Sequence, residues 1–301
     1  MNKVLAFDLG GTAIKYGLID FAGTILFTDQ VPTPKESLGQ FLDVLDSIVL
    51  PIKESIKGIA MSMPGRINHK TGHIYTGGAI SRYMTDVPLK ELLESRYQLP
   101  VAIENDGKCA AHAELWKGNL KDVNSGAVIL IGFGIGGGIV LDGKVWRGVH
   151  DSAGEFSYLV TDYQHGSEDA AYWSYSNGIY GLLSPYAKQK NIPIDQINGK
   201  LFFEALHQKD EIALSIFHYY VQSLFSGILT LQGILDVDKY CIGGGISEQD
   251  ILIESLRTAV NSYFDHAPEY VAMIRPQIDR CRFNNNANII GALKNFLDLN
   301  G

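Results

Sequence analysis

Asp8-Leu9-Gly10-Gly11-Thr12-Ala13-Ile14-Lys15 is the stretch that decides the fold, because it stands between two short apolar segments. Val4 to Phe7 and Ile14 to Ile19 have the composition of buried strands, so the glycines between them predict a tight hairpin turn. Glycine permits positive φ and lets a ligand approach the peptide N–H groups, which together form an anion-binding concavity. The Asp8 carboxylate suits a phosphate that arrives with Mg²⁺, held directly or through water. Taken alone, an ordinary hairpin explains this turn equally well.

The same arrangement recurs in the second half of the chain. The apolar run Val128 to Ile131 leads into Gly132-Phe133-Gly134-Ile135-Gly136-Gly137-Gly138, and another apolar segment follows. A third glycine turn, Gly243-Gly244-Gly245, follows the apolar Tyr240 to Ile242. Two copies of strand, glycine turn and strand predict two related halves.

The spacing Gly132-x-Gly134-x-x-Gly137 also matches the dinucleotide-binding fingerprint. That fingerprint requires a helix directly after the turn, which aims its N-terminus at the pyrophosphate. Here the turn is followed by Ile139-Val140-Leu141-Asp142-Gly143, a β-hairpin pattern. A nicotinamide cofactor is therefore excluded.

Length and composition narrow the function classes. The 301 residues are enough for two domains. The net charge of −8 argues against nucleic acid as a partner, since duplex binding needs a basic face. The three cysteines are widely spaced, so neither a disulfide framework nor a zinc site is expected. No apolar run reaches the ~20 residues of a membrane span, and no secretory leader is recognised, so we expect a cytoplasmic protein without membrane contact.

Apolar periodicity predicts alternating strands and helices along the whole chain. Strands are expected near 4–8, 14–19, 24–31, 58–63, 100–103 and 239–242, with helices near 37–52, 106–116, 210–235, 248–264 and 289–297. Hairpin strands mixed with helical crossovers indicate an α/β protein with mixed sheets. The stretch 161–180 gives no clear prediction.

Five motifs in this order resemble those of the ROK-family sugar kinases. They are Asp8-x-Gly10-Gly11-Thr12-x-x-Lys15, Glu104-Asn105-Asp106, the Gly132–Gly138 run, Ala153-Gly154-Glu155 and Gly243-Gly244-Gly245-Ile246. The resemblance covers essentially the whole chain and implies the two-domain actin-like ATPase (ribonuclease H-like) fold, with a cleft between the domains. Gly118 and the polar residues 121–125 mark the first domain boundary. The first domain is then residues 1–118, to which the resemblance adds a returning helix at 287–301, and the second domain is residues 119–286.

The resemblance also implies the residues of the site. Asp106 is the expected general base, although a helix cap is the alternative use of an aspartate there. The expected sugar-binding residues are Gly65, Asn105, Asp106, Glu155 and Tyr158, and Glu155 could equally be a solvated loop residue. The expected ATP-binding residues are Asp8, Gly10, Gly11, Thr12, Lys15, Gly132, Phe133, Gly134, Gly136, Gly243, Gly244 and Gly245. Mg²⁺ would be held at Asp8, and whether Lys15 reaches a phosphate is left open.

The chain departs from the family pattern in three places. Phe133 replaces a threonine of the second glycine turn, which removes one hydroxyl but keeps the backbone donors. Tyr158 replaces a histidine that binds sugar or zinc in relatives. The cysteine-rich zinc segment is absent, so no zinc is expected. Aromatic residues at 172–180 stand in its place, and they either pack a core or line a wider pocket that suits a β-glucoside.

The leading hypothesis is an ATP-dependent kinase acting on a primary hydroxyl of a hexose, expected at C6. A non-catalytic sugar sensor or regulator of the same family is the alternative. A repressor with an N-terminal helix-turn-helix is not expected, because the first strand begins at Val4. Which sugar binds is left open, and so is a homodimer.

Overall fold

The computed structural model describes residues 2–80, 82–162, 172–283 and 286–300. These residues form two compact units. Unit 1 comprises residues 1–121, 144–154 and 285–301, and unit 2 comprises residues 122–143 and 155–284. The chain thus passes from one unit to the other four times.

Unit 1 is built on a mixed sheet with the strand order β3-β2-β1-β4-β5. β1 pairs antiparallel with β2 and parallel with β4, and β4 pairs parallel with β5. Its elements are β1 (Lys3–Leu9), β2 (Ala13–Asp20), β3 (Ile25–Pro32), α1 (Leu38–Val49), β4 (Ile59–Met63), α2 (Leu89–Tyr97), β5 (Val101–Asn105) and α3 (Asp106–Lys117).

The second sheet repeats this connectivity in the order β10-β9-β6-β7-β8. β6 pairs antiparallel with β7 and parallel with β9, so β6 occupies the place that β1 has in the first sheet. The further elements are β6 (Gly126–Ile131), β7 (Ile135–Leu141), β8 (Lys144–Trp146), α4 (Trp173–Asn177), α5 (Ile179–Lys190), α6 (Gly199–His207), α7 (Glu211–Leu235), β9 (Lys239–Gly243), α8 (Asp250–His266), β10 (Gln277–Arg280) and α9 (Ala287–Asn300). The predicted α/β fold with mixed sheets is confirmed, and the repeat agrees with the two halves inferred from the glycine turns.

A core of aromatic and aliphatic side chains fills unit 1 between the sheet and its helices. Phe7, Phe41, Met61 and Tyr97 are completely buried. α1 contributes its face at four-residue spacing, and the Ser37 hydroxyl starts this helix by accepting a hydrogen bond from the Gln40 amide at 3.2 Å. Burying each large apolar side chain contributes about 1.5–3 kcal/mol. The carboxyl ends of β1, β4 and β5 are therefore supported by a packed core.

The last helix, α9, closes unit 1 by packing against α3 and against the sheet. A Cβ on Gly291 would lie 1.7 Å from the carbonyl oxygen of Cys109 on α3, so only glycine permits this approach. α9 thereby brings the C-terminal end of the chain onto the element that begins at Asp106.

The aromatic stretch 172–180 packs partly into a core, which is one of the two uses considered from the sequence. Trp173 is completely buried, and a Cβ on Gly227 of α7 would lie 2.3 Å from its indole ring. Tyr175 and Tyr180 are instead exposed. Residues 163–171 of the stretch without a clear prediction lie outside the described residues.

α7 is the one helix of the described chain that is long and apolar enough to cross a membrane. Half of its most apolar window is buried inside the protein, as in the core helix of a soluble protein. We therefore regard it as the core helix of unit 2.

Candidate functional site

The predicted sugar and phosphate residues of unit 1 lie at one edge of its sheet. The parallel strands β1, β4 and β5 end at Leu9, Met63 and Asn105. Gly10 and Asp106 follow the ends of β1 and β5 directly, and Gly65 follows the end of β4 after Pro64. Ligands of α/β proteins collect at the carboxyl ends of parallel strands, so this edge is the candidate site of unit 1.

Asn105 caps helix α3, and Asp106 is the first residue of that helix. The Asn105 Oδ1 accepts a hydrogen bond from the Lys108 amide at 3.2 Å. The alternative in which Asp106 is the cap is therefore wrong. Asp106 instead accepts hydrogen bonds at Oδ1 from the Gly107 amide at 2.8 Å and from the Asn105 side chain at 3.0 Å. These bonds orient a half-buried carboxylate at the sheet edge.

The Asn105 amide also joins the ends of β4 and β5. Its Nδ2 donates to the carbonyl oxygen of Gly65 at 3.0 Å. Gly65 has φ of +96°, and a Cβ there would lie 2.0 Å from the carbonyl oxygen of Thr76. The turn after β4 therefore requires glycine, and Asn105 fixes its position beside Asp106.

Asp8 lies in β1 beside the first glycine turn. Its Oδ1 accepts a hydrogen bond from the Asn288 side chain of α9 at 2.9 Å. Burial raises the pKa of the Asp8 carboxyl, while the Asn288 bond and the charge of Lys15 act in the opposite direction. A carboxylate whose charge is poorly compensated is well placed to receive a cation.

The first glycine turn presents its backbone to solvent. Gly11 and Thr12 are exposed, and the turn closes with a hydrogen bond of 3.0 Å from the Gly10 amide to the Ala13 carbonyl. The Thr33 hydroxyl donates to the Gly10 carbonyl at 2.6 Å and braces the turn. The roles of Thr33 and Asn288 were not predicted from the sequence, because neither residue is near the turn in the chain.

Lys15 is the partner of Asp8 across the β1–β2 ladder. It lines a small recess of about 320 Å³ with Asp29 and Asn286. Both interpretations of Lys15, as a phosphate contact and as a strand residue, stay open.

The second and third glycine turns lie together in unit 2. The second turn, Gly132 to Gly134, joins β6 to β7 and closes with a hydrogen bond of 3.0 Å from the Gly132 amide to the Gly134 carbonyl. Gly244 has φ of +90°, and a Cβ there would lie 2.1 Å from the carbonyl oxygen of Ile131. The turn is shorter than the glycine run predicts, because β7 begins at Ile135 and Gly136 pairs with Leu130 within the ladder. The phosphate contact expected of Gly136 stays a prediction.

A pocket of about 530 Å³ opens between these two turns. Gly132, Phe133 and Gly245 form one side of it, whereas Gly243 is a buried residue of β9. The remaining lining combines the apolar side chains of Ile179, Phe203 and Ile246 with the polar side chains of Lys200, Glu204, His207 and Gln249. Such a lining, with a few polar groups on apolar walls, is typical of a small-molecule binding site.

Glu155 and Tyr158 bracket a short 3₁₀ turn in unit 2. The Tyr158 amide donates to the Glu155 carbonyl at 3.2 Å. Glu155 is partly exposed, and 67% of Tyr158 is exposed. Phe156 between them is buried and packs its ring on Trp173 at 6.4 Å. The buried ring anchors the turn and leaves its two predicted sugar residues at the surface of unit 2.

A buried polar network in unit 1 lies directly behind Asn105 and Asp106. The Glu104 carboxylate, 1% exposed, accepts a hydrogen bond from Arg147 Nε at 2.7 Å. Arg147 also donates to His112 Nε2 at 2.8 Å and to Asn295 Oδ1 at 3.1 Å. The network joins β5, α3, α9 and the segment after β8. Nothing in the local sequence indicated it, since Arg147 lies far from Glu104 in the chain.

His112 is neutral in this network. Burial and the positive charge of Arg147 hold its pKa well below the usual value, although the Glu104 and Asp298 carboxylates approach within 4.0 and 3.8 Å. The hydrogen bond from Arg147 also favours the neutral imidazole, because Nε2 of His112 can accept it only when that nitrogen carries no proton.

Acid should therefore destabilise unit 1 through His112. Below about pH 6.5 the unfolded chain takes up a proton at this histidine and the folded chain does not, so the free energy of unfolding falls as pH falls. We expect the loss to approach about 1.4 kcal/mol per pH unit below that value. Denaturant titrations between pH 7 and 5 measure it. His112→Gln, which can still accept from Arg147, should flatten the pH dependence, whereas the exposed-site control His218→Gln should not. Equal slopes for both variants would refute the assignment.

No group of three or more His, Cys, Asp or Glu side chains that could hold a metal ion occurs in the described part of the chain. That leaves the absence of zinc a prediction. A Mg²⁺ ion needs fewer protein ligands, since it commonly binds through one or two carboxylates together with substrate phosphates and water.

The ROK family model matches residues 4–298. The chain belongs to the ROK family. A β-glucoside kinase of Listeria monocytogenes is 32% identical over 296 residues, covering 98% of this chain and 97% of that protein. A ROK-family protein of Streptococcus pneumoniae, solved with sucrose, is 29% identical and has a TM-score of 0.88, with 98% of each chain covered. A ROK-family glucokinase of Streptomyces griseus, solved with glucose and AMPPNP, shares the fold at 24% identity and a TM-score of 0.83, covering 97% of this chain and 98% of that chain. The expected ROK membership and actin-like fold are thereby confirmed.

Proposed function

We propose that this ROK-family protein transfers the γ-phosphate of ATP to a primary hydroxyl, at C6, of a hexose or a β-glucoside. As a ROK member whose relatives are named sugar kinases, the chain is an ATP-dependent sugar phosphotransferase. The position of the acceptor hydroxyl, the sugar and the residue roles are the proposal. The observation that carries it is the oriented Asp106 carboxylate at the carboxyl end of β5, beside Asn105 and Gly65.

Asp106 would act as the general base. The sugar hydroxyl loses its proton to the Asp106 carboxylate while its oxygen forms the new bond to the γ-phosphorus, and the bond to the β-phosphate oxygen breaks to release ADP. Phosphoryl transfer depends mainly on positioning and charge stabilisation. The two hydrogen bonds at Asp106 Oδ1 supply the positioning, because they fix the direction of the carboxylate.

The glycine turns and Asp8 supply the rest. The amides of the exposed residues Gly11 and Thr12, and those of Phe133 and Gly134, would donate to phosphate oxygens, while the Gly132 amide holds the second turn closed. The 530 Å³ pocket beside Gly245 would take the adenine. The raised pKa of Asp8 fits a carboxylate that holds Mg²⁺, directly or through water. Mg²⁺ bound there would neutralise charge on the transferred group. Asn105 and Glu155 would bind sugar hydroxyls.

An ADP-release assay tests the proposal. The protein with Mg²⁺ and ATP should release ADP with at least one of glucose, mannose, N-acetylmannosamine, fructose, allose or cellobiose. The 6-deoxy form of the active sugar should bind without turnover, because it lacks the acceptor hydroxyl. No release above background with any sugar would favour the alternative, a sugar sensor without catalysis.

A further inference from the structure

A second and larger pocket of unit 2 is assigned to neither ATP nor the phosphorylated sugar by the proposed function, although Gly134 and Tyr158 lie at its edge. It has a volume of about 1100 Å³ and lies among α4, α5 and α7, and we call it the tyrosine pocket. Its aromatic lining consists of Phe133, Tyr158, Tyr175, Tyr180, Tyr219 and Tyr220. Five serines and Gln189 add hydroxyl and amide groups. At this volume it is larger than most small-ligand sites, which measure roughly 300–1,000 Å³.

The tyrosine pocket begins where the second glycine turn meets the Glu155–Tyr158 turn. The Ser157 hydroxyl accepts a hydrogen bond from the Ile135 amide at 3.1 Å. A Cβ on Gly134 would lie 2.8 Å from the same hydroxyl, so the two turns are in close contact. Gly134, Ser157 and Tyr158 all line the pocket. A ligand in it would therefore lie beside both a predicted phosphate turn and a predicted sugar turn.

Phe133 separates this pocket from the 530 Å³ pocket, since it lines both. Its ring is 78% exposed and lies 5.8 Å from the ring of Tyr180 at an angle of 33°. The phenylalanine that replaces the threonine of relatives thus forms a wall between two binding spaces. Each space can then take a different part of the reacting pair.

The lining has the chemistry of a carbohydrate or aryl ring site. Tyr175 and Tyr219 expose 65% and 71% of their surface, and clustered exposed aromatic side chains mark binding surfaces. Flat aromatic faces bury the C–H face of a sugar ring or stack on an aryl ring. Serine hydroxyls and the Gln189 amide both donate and accept, which matches ring hydroxyls.

We propose that the tyrosine pocket is the subsite for the second ring of a β-glucoside, the group joined to the phosphorylated glucose through its anomeric oxygen. Tyr175 and Tyr219 are its specificity residues. This inference rests on the proposed function and narrows its substrate class from hexoses and β-glucosides to β-glucosides. Relatives named β-glucoside kinases are 32% identical, and the pneumococcal relative was solved with a disaccharide.

The test compares kcat/KM for cellobiose and phenyl β-glucoside with kcat/KM for glucose. Tyr175→Ala and Tyr219→Ala should each lower the glucoside-to-glucose ratio on the order of tenfold, the size of one lost ring contact. Tyr175→Phe and Tyr219→Phe should keep the ratio for phenyl β-glucoside, because the stacking face remains. Tyr270→Ala is the matched control, since Tyr270 is 86% exposed and does not line the pocket. It should leave the ratio unchanged.

A binding measurement separates the failure of this inference from that of the proposed function. Cellobiose that lacks the 6-hydroxyl on its non-reducing ring cannot be phosphorylated there, and calorimetry reports its affinity without turnover. Both alanine variants should bind it about tenfold more weakly than the wild-type protein.

An active kinase with unchanged ratios and affinities would overturn the subsite and leave the proposed function intact. An inactive wild-type protein would overturn the proposed function, and the calorimetry would still decide the subsite. A change of molecular mass in light scattering without a change in affinity would overturn the subsite in favour of contact between copies of the chain.

Discussion

Asp106→Asn is expected to lower kcat by about 10²- to 10⁴-fold, the range that general-base assistance contributes. The asparagine keeps the size of the side chain and an oxygen that can accept from the Gly107 amide and from Asn105, now 2.8 and 3.0 Å from Oδ1. It cannot take the proton of a sugar hydroxyl. The loss should therefore fall on kcat, with little change in the affinity for ATP. Steady-state kinetics and nucleotide binding by calorimetry measure the two effects separately.

Asp43→Asn makes the same chemical change on the exposed face of α1 and serves as the control. It should leave both kcat and ATP affinity at their wild-type values. An Asp106→Asn enzyme with near-normal kcat would remove Asp106 as the base. If the variant instead lost its folded structure, the helix start at Asn105 would be the property affected, and far-UV circular dichroism would show it.

Local patterns in the sequence predicted the elements around this carboxylate because each signal lies within a few residues. Apolar runs with a glycine at or shortly after their end mark β1, β4, β6 and β9, and all four strands occur where they were expected. β10 was missed, because Gln277–Arg280 is a short edge strand whose polar residues give no alternation. α5 was missed as well, since Gly181 and Pro185 lie inside it and the tertiary contacts with α7 override their low helix propensity.

Contacts between distant residues could not be predicted in this way. Asn288 bonds to Asp8 from the opposite end of the chain, and Thr33 braces the Gly10 turn from the position directly after β3. The position of Asp106 at the end of a strand was predicted. The alternative, in which Asp106 itself caps helix α3, named the wrong residue, because Asn105 and Asp106 are both favourable N-cap residues. The end of the second glycine turn was also misplaced. Ladder pairing with Leu130, which depends on register, decides that Gly136 is a strand residue.

Arg147, the half-buried partner of the buried Glu104, gives the second large prediction. Arg147→Met should lower the free energy of unfolding by about 3–5 kcal/mol, because it leaves a buried carboxylate without its cation. Methionine retains much of the apolar volume of the arginine stem, so the effect reports the charge rather than a cavity. Arg275→Met removes an ion pair with Asp265 whose side chains are 41% and 56% exposed, and it should cost at most about 1 kcal/mol. Urea denaturation of the three proteins measures the difference.

Arg147→Met should also lower kcat, because Glu104 directly precedes Asn105 at the end of β5 and Asp106 at the start of α3. The backbone N–H of Asn105 donates to Glu104 Oε1 at 2.9 Å. The segment after β8, which carries Arg147, is also held by a contact of 2.6 Å between His69 Nδ1 and Asp151 Oδ1. Loss of Arg147 frees the carboxylate that fixes the strand end, and a displacement of about 1 Å can cost 10²-fold in rate. We expect a comparable fall in kcat for the folded fraction of Arg147→Met.

A double-mutant cycle separates the pair from its surroundings. Glu104→Gln in the Arg147→Met background removes the uncompensated charge, so the double variant should be more stable than Arg147→Met alone. Additive losses would mean that the two side chains stabilise the fold independently. The strand end that carries Asp106 would then be fixed by the Asn105 bonds to Gly65 and to the Lys108 amide alone, and kcat of Arg147→Met would remain close to that of the wild-type enzyme.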